Sequence, residues 1–252
     1  MQDIIDTFRS DLFRGQTVLV SGATSGIGLA IAQGFAQLGA EVIATGTSEK
    51  KLGQVRKDPA LSGIRFGTLD VRDRAAIDAF IGNLNSLSVL VNAAGIARPH
   101  AEFDEETYME VIDINLNSAM RLSMAAYPLL KVSKGAIINT ASMLSYLADD
   151  TVPAYCASKT GIVGLTRALS HKFGPDGVRV NAIAPGYHKT DMTRGLWEDP
   201  VAAGKIENRT ALKRWGTVDD LVGTALFLAS PAAIYVTGMT MPVDGGYVNG
   251  GF

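Results

Sequence analysis

Residues 16–39 read Gln16-Thr-Val-Leu-Val-Ser21-Gly22-Ala-Thr-Ser-Gly26-Ile-Gly28-Leu29-Ala-Ile-Ala-Gln-Gly-Phe-Ala-Gln-Leu-Gly39. The first six residues are mostly apolar and β-branched, which reads as a short buried strand. From Leu29 the apolar positions fall at helical spacing, and Gly39 closes the run. Between the two lies Gly-x-x-x-Gly-x-Gly. Glycines in such a turn let the backbone approach a pyrophosphate. The helix start behind them supplies N–H groups and the positive end of a dipole. Gly22, Thr24, Ser25, Gly26, Ile27 and Gly28 are therefore candidate cofactor-binding residues. Taken alone, the motif is equally a tight turn that packs a helix on a strand.

Further strands are expected at Glu41–Gly46, Ile64–Leu69, Leu87–Val91, Gly135–Thr140, Val178–Ala184 and Met239–Val243. Helical patterns fall between them, at Asp73–Asn85, Asp104 to about Leu130, 154–171 and Asp219–Ser230. Ser48 is placed to cap a helix that follows the second strand. Strand and helix alternate throughout. The expected fold is a single α/β domain over residues 1–252, a Rossmann-type doubly wound parallel sheet with helices on both faces. Residues 1–15 form an N-terminal extension, and the irregular stretch 187–216 is long enough to act as a substrate-binding lid.

Residues 142–159 suggest chemistry. Ser142 lies just past the carboxyl end of the fifth strand, the edge where open α/β sheets bind ligands. Tyr155 and Lys159 are four apart on the next helix and share a face. A phenol ionises near pH ~10, and a nearby ammonium favours its ionised form. Acid–base work is most effective when that value lies near the working pH. A bare Tyr-x-x-x-Lys is common on ordinary helix surfaces, so its weight depends on the rest of the chain.

Composition narrows the classes. The formal net charge is −2, which offers no basic field for nucleic acid or an anionic membrane. The single cysteine, Cys156, excludes an intrachain disulfide and fits a reducing cytoplasm. The first residues carry acids where a signal peptide needs basic and then apolar ones. No apolar run reaches transmembrane length. His100, His171 and His188 lack metal-ligand spacing, so no metal site is expected.

Together, Gly22-x-x-x-Gly26-x-Gly28, Asp70, Asn92-Ala-Ala-Gly95, Asn115, Ser142, Tyr155-x-x-x-Lys159, Pro185-Gly186 and Val243-Asp-Gly-Gly246 resemble the short-chain dehydrogenase/reductase family. Order and approximate spacing match from about Gln16 onward. The resemblance implies an oxidoreductase that moves a hydride between a nicotinamide cofactor and a secondary alcohol or ketone. It implies that Tyr155 is the acid/base, that Lys159 tunes it and holds the nicotinamide ribose, and that Ser142 holds the substrate oxygen. Asn115 would order a water in a proton relay through Lys159. Asp70 and Val71 would meet the adenine, with Asn92, Ala93 and Gly95 closing the adenosine side. Pro185, Gly186, His188 and Thr190 would border the carboxamide. The family also implies a homotetramer.

Two departures stand out. His188 replaces an apolar residue; its backbone could reach the carboxamide while its ring faces either substrate or solvent. The second strand ends in Gly46-Thr47, with neither the acid usual for NAD nor the arginine common for NADP, and Ser25 stands where many NADP-users are basic. A 2′-phosphate wants arginine or lysine partners. Lys50 and Lys51 read as too far along the next helix, so NAD is favoured over NADP.

In finer detail, Ser142-Met-Leu-Ser145, Val152-Pro-Ala-Tyr155, Asn181 to Tyr187 and Arg214-Trp-Gly216 look like sugar-acid dehydrogenases, and Leu228 to Gly238 like polyol dehydrogenases. Residues expected to line the substrate are Arg98, His100, Met143, Leu144, Tyr146, Tyr187, His188, Arg194 and Trp197, with Arg98 or Arg194 for a carboxylate. A sugar, polyol or sugar acid is the expected substrate. A β-ketoacyl thioester reductase shares these motifs and is the alternative. A non-catalytic dinucleotide sensor of this fold would be expected to lose the tyrosine or lysine, and here both stand.

Overall fold

A computed structural model describes residues 1–250. Among them, seven strands form one sheet: β1 (Thr17–Ser21), β2 (Glu41–Gly46), β3 (Ile64–Thr68), β4 (Val89–Asn92), β5 (Ala136–Thr140), β6 (Arg179–Pro185) and β7 (Thr240–Val243). Every pairing is parallel, and the order is β3-β2-β1-β4-β5-β6-β7. The chain builds outward from β1 to β3, then returns to the other side of β1 for β4. That reversal leaves a crevice beyond the carboxyl ends of β1 and β4, where such sheets bind ligands. Ser21 and Asn92 are register partners at its floor.

Helices cover both faces, as a sheet buried on both sides requires. On one face α2 (Gly26–Gln37) and α10 (Val222–Ala229) bury Ile31, Phe35, Val222 and Leu226. Phe13 packs edge-on against Phe35, with ring centroids 4.8 Å apart. The N-terminal stretch thus enters this core, and the Met1 ammonium lies 2.8 Å from the Asp219 carboxylate. The other face holds α4 (Arg74–Gly82), α6 (Ser118–Ser133) and α7 (Pro153–Phe173), which bury Ile77, Ile81, Leu122, Leu130, Leu169 and Phe173. No described helix is long and apolar enough to cross a membrane.

Three elements differ from the sequence expectation. The continuous helix from Asp104 to Leu130 is split into α5 (Glu105–Ile112), a π turn over Asp113–Asn117, and α6. A π turn carries one extra residue per turn and often marks a functional position; here it holds the buried Asn115. The helix expected from Asp219 is a 3₁₀ turn from Val218 to Leu221, continued by α10. The irregular stretch 187–216 contains α8 (Arg194–Trp197) and α9 (Pro200–Arg209). Ser48 caps α3 (Glu49–Val55) by accepting the Lys51 N–H at 3.3 Å.

Candidate active site

The glycine turn leaves β1 and enters α2 directly against the end of β4. Gly22 has φ +67°, and a Cβ there would sit 2.5 Å from the Ala94 Cα. Only glycine allows that approach. Ser25, at the N-cap of α2, makes no side-chain bond to the helix, so its hydroxyl caps none of the first-turn N–H groups. A helix start of this kind suits a phosphate. Two cavities meet here, of about 260 Å³ and about 370 Å³. They share Gly22, Ser25, Lys51, Ala93 and Gly95, and so form one groove along the carboxyl edge of the sheet. Its backbone-lined turn and free helix start fit a dinucleotide.

The larger cavity is bordered by Thr24, Gly46, Thr47, Asp70 and Val71, all expected near adenosine. Arg72 forks onto Asp70, with contacts at 2.7 and 3.0 Å, and holds its carboxyl below the usual range. Asn92 departs from expectation. Its side chain turns into the sheet and donates to Asn139 Oδ1 at 2.8 Å, so only its neighbours Ala93 and Gly95 border the groove. Lys51 also departs from expectation. Its Nζ donates to Ser25 Oγ at 3.1 Å and lies 3.7 Å from Asp191 Oδ2. The cation judged too distant is therefore in the adenosine corner. α3 starts at the expected Ser48 cap, and Lys51 in its first turn reaches back to the glycine turn.

The smaller cavity brings together Ser142, Tyr155 and Lys159, with Ile27, Pro185, Gly186, His188 and Thr190. Ser142 is held by a capping box: Leu144 N–H donates to its Oγ at 3.1 Å, and its own N–H donates to Ser145 Oγ at 3.3 Å. Ser145 Oγ in turn donates to the Lys159 carbonyl at 2.7 Å, tying this turn to α7. Burial pushes the Tyr155 phenol up, and the Ser142 hydroxyl facing it pulls it back. The Lys159 ammonium lies 5.5 Å from the Tyr155 ring centroid and donates to the Thr140 carbonyl at 2.8 Å. Burial lowers its own pKa to about 8. Asn115 joins three segments: its Oδ1 accepts the Ile96 N–H at 2.8 Å, and its Nδ2 donates to Ile96 O at 2.9 Å and Ser158 Oγ at 3.1 Å.

The residues expected on the substrate side lie in several different places. The His188 ring does not face solvent, although the residue borders the catalytic cavity. It is buried on Gly216, with Nδ1 3.1 Å from Gly186 O, and burial lowers its pKa. Tyr187 packs edge-on to Trp215 and Tyr247, at centroid distances of 5.5 and 5.1 Å. Burial raises its phenol to about 12. Arg98 borders the adenosine cavity, 3.6 Å from Glu110, instead of the catalytic one. Arg194 pairs with Asp191 at 2.6 Å, and Trp197 donates to Thr190 O at 3.1 Å, so both brace the chain after Gly186. Met143 is buried, Tyr146 is exposed, and neither these two nor Leu144 borders the catalytic cavity. His100 sits at φ +65° in a loop whose N–H reaches Thr151 O at 2.8 Å. Met192 and Thr193, which no motif singles out, border the catalytic cavity instead.

The chain was compared with known proteins. A family model described as enoyl-(acyl carrier protein) reductase matches residues 22–248. The 2-dehydro-3-deoxy-D-gluconate 5-dehydrogenase of Bacillus subtilis (strain 168) is 40% identical over 244 residues, covering 94% of this chain and 96% of that protein. The gluconate 5-dehydrogenase of Gluconobacter oxydans (strain 621H) is 35% identical over 247 residues, covering 94% and 96%. A crystal structure of a gluconate 5-dehydrogenase from Burkholderia cenocepacia J2315, in complex with NADP and tartrate, superimposes with a TM-score of 0.87. It is 33% identical and covers 96% of this chain and 99% of that one.

Proposed function

We propose that this chain, which belongs to the short-chain dehydrogenase/reductase family, oxidises a hydroxyl-bearing carbon of a sugar acid with NADP, or runs the reverse reduction with NADPH. The observation that carries the reading is Ser142, Tyr155 and Lys159 on one cavity that continues into the glycine-turn groove. The bound nicotinamide supplies or accepts the hydride. Tyr155 exchanges the proton of the substrate oxygen, and Ser142 fixes that oxygen by a hydrogen bond. Lys159 places a positive charge near the phenol, which favours the phenolate needed for alcohol oxidation. Asn115 holds the π turn against α7 and supports a water relay to Lys159.

NADP(H) is preferred over NAD(H) because Lys51 stands beside Ser25, Thr47 and Ser48, a cation with three hydroxyls for a 2′-phosphate. The Burkholderia structure with NADP supports this. The acid is preferred over a neutral polyol because the curated relatives named above act on sugar acids. Within this chain, Arg98 and Arg194 are both occupied by carboxylates. Arg209 stacks over Tyr247 at 4.6 Å, next to Tyr187, and has no carboxylate partner among the described residues. It borders a separate cavity with Lys205 and Lys213, and no arginine borders the catalytic one among the described residues. A cytoplasmic homotetramer is the assembly the family implies, and the exposed Met109, Met120, Ile234 and Tyr235 offer apolar surface for it.

A substrate panel tests the reading. Gluconate-type acids should turn over better than neutral polyols of equal length and better than acetoacetyl thioesters. A thioester preferred over every acid would favour the acyl reductase that the family model's description names.

A further inference from the structure

We infer that Glu102 is a positioning residue for this reaction: its buried carboxylate caps the catalytic helix from outside and fixes the backbone of Tyr155. Glu102 is 0% exposed. A carboxylate so buried is costly unless both oxygens find donors. Here both do. Oε1 accepts the Arg98 N–H at 2.8 Å, and Oε2 accepts the Tyr155 N–H at 2.8 Å. The inference rests on reading Tyr155 as the acid/base.

Helix α7 needs such a partner. It begins at Pro153, and Val152 at its N-cap makes no side-chain hydrogen bond. Tyr155 is the third residue of the helix, so its N–H belongs to the first turn, which has no partner within the helix. Glu102 supplies what the local sequence lacks, and its charge meets the positive end of the helix dipole. Because the capped N–H is that of Tyr155, the bond acts on the residue that carries the phenol. The other oxygen anchors the loop after β4, so the groove wall and the catalytic helix are joined by one side chain.

The same charge acts on the phenol. Tyr155 is faced by the Ser142 hydroxyl, the Cys156 thiol, the Lys159 ammonium and the Glu102 carboxylate. Burial, Cys156 and Glu102 keep it protonated, and Ser142 opposes them. Burial raises the Cys156 thiol, and Glu102 adds to that rise. Glu102 thus holds the phenol in place and delays its ionisation.

The test compares kcat–pH profiles for sugar-acid oxidation in the wild type, Glu102→Gln, Glu102→Asp and Tyr155→Phe, with NADPH titration to verify a folded groove. Glu102→Gln loses the charge and can accept only one of the two N–H groups. Its kcat should fall about ten- to a hundredfold, the scale of a small misplacement of a catalytic group, while NADPH still binds. The rising limb of its profile should move to lower pH. Glu102→Asp keeps the charge with a shorter reach, so its kcat should fall with the limb unmoved. An unmoved limb in an NADPH-binding Glu102→Gln overturns the proposal even if kcat falls, because lost packing alone would not shift ionisation. If Glu102→Gln does not bind NADPH, Glu102→Asp decides: a wild-type kcat overturns the proposal and a reduced one with an unmoved limb supports it. Turnover surviving in Tyr155→Phe would instead remove the acid/base reading itself, whatever Glu102 does.

Discussion

Lys51 reaches Ser25 across the gap between α3 and the glycine turn, and this contact puts a cation where the sequence reading, which favoured NAD, expected none. Its neighbour Asp191 lies 3.7 Å away on the segment after Gly186, so the lysine also touches the far wall of the groove. A 2′-phosphate would draw the ammonium from Asp191, because phosphate carries more charge. Lys51→Ala should therefore lower kcat/KM with NADPH about ten- to a hundredfold, the range of a hydrogen bond to a charged group, and change it little with NADH. Equal losses with both cofactors, in parallel steady-state runs, would show that Lys51 does not read the phosphate. The start of α3 at Ser48 was legible, but the reach of Lys51 was not, because it depends on how that helix lies on the sheet. Ser142, Tyr155 and Lys159 were legible because their spacing is set by one strand end and one helix. Glu102 was not, since it caps a helix 53 positions away in the chain.

At the scale of elements, the segment from Tyr187 to Gly216 is a loop zipped at its base. Gly216 N–H donates to Tyr187 O at 2.9 Å, and Lys189 N–H donates to Gly216 O at 2.9 Å. The His188 ring fills the space beside Gly216, where a Cβ would lie 2.5 Å from its Cδ2. Arg214 forks onto Asp220, at 2.7 and 2.8 Å, and holds that carboxyl well below its usual range. The Arg214-Trp-Gly216 motif thus closes the base of this segment. Gly216→Ala should push the ring aside at a cost of about 1–3 kcal/mol, the usual scale of overpacking. Tm should fall, and KM for the sugar acid should rise more than KM for NADPH. Wild-type Tm and KM in that variant would show that the base tolerates the methyl. The stretch read as irregular because α8 is a single turn. The start of α9 did carry a signal: Asp199-Pro200 is a cap followed by a first-turn proline, and Asp199 accepts the Val201 N–H at 2.9 Å. The π turn at Asn115 had no such mark, since the helical beat runs through it.

For the whole molecule, the parallel sheet was legible because seven short apolar runs alternate with helical ones, and only a doubly wound order buries both faces. The return of the chain from β3 to β4 creates the crevice, the glycine turn lines one side of it, and α7 brings Tyr155 to the other. The packing of the segment 187–216 was poorly legible because it pairs residues across long distances, such as Tyr187 with Tyr247. The central claim is that this fold delivers Tyr155 as the acid/base of hydride transfer on a sugar acid. The most direct measurement is NADPH formation from a gluconate-type acid by the wild type and by Tyr155→Phe, with NADPH affinity titrated in both. The expected result is a loss of at least ~10²-fold in kcat, the size of an acid–base contribution, with affinity preserved. Near-normal turnover in Tyr155→Phe would contradict it.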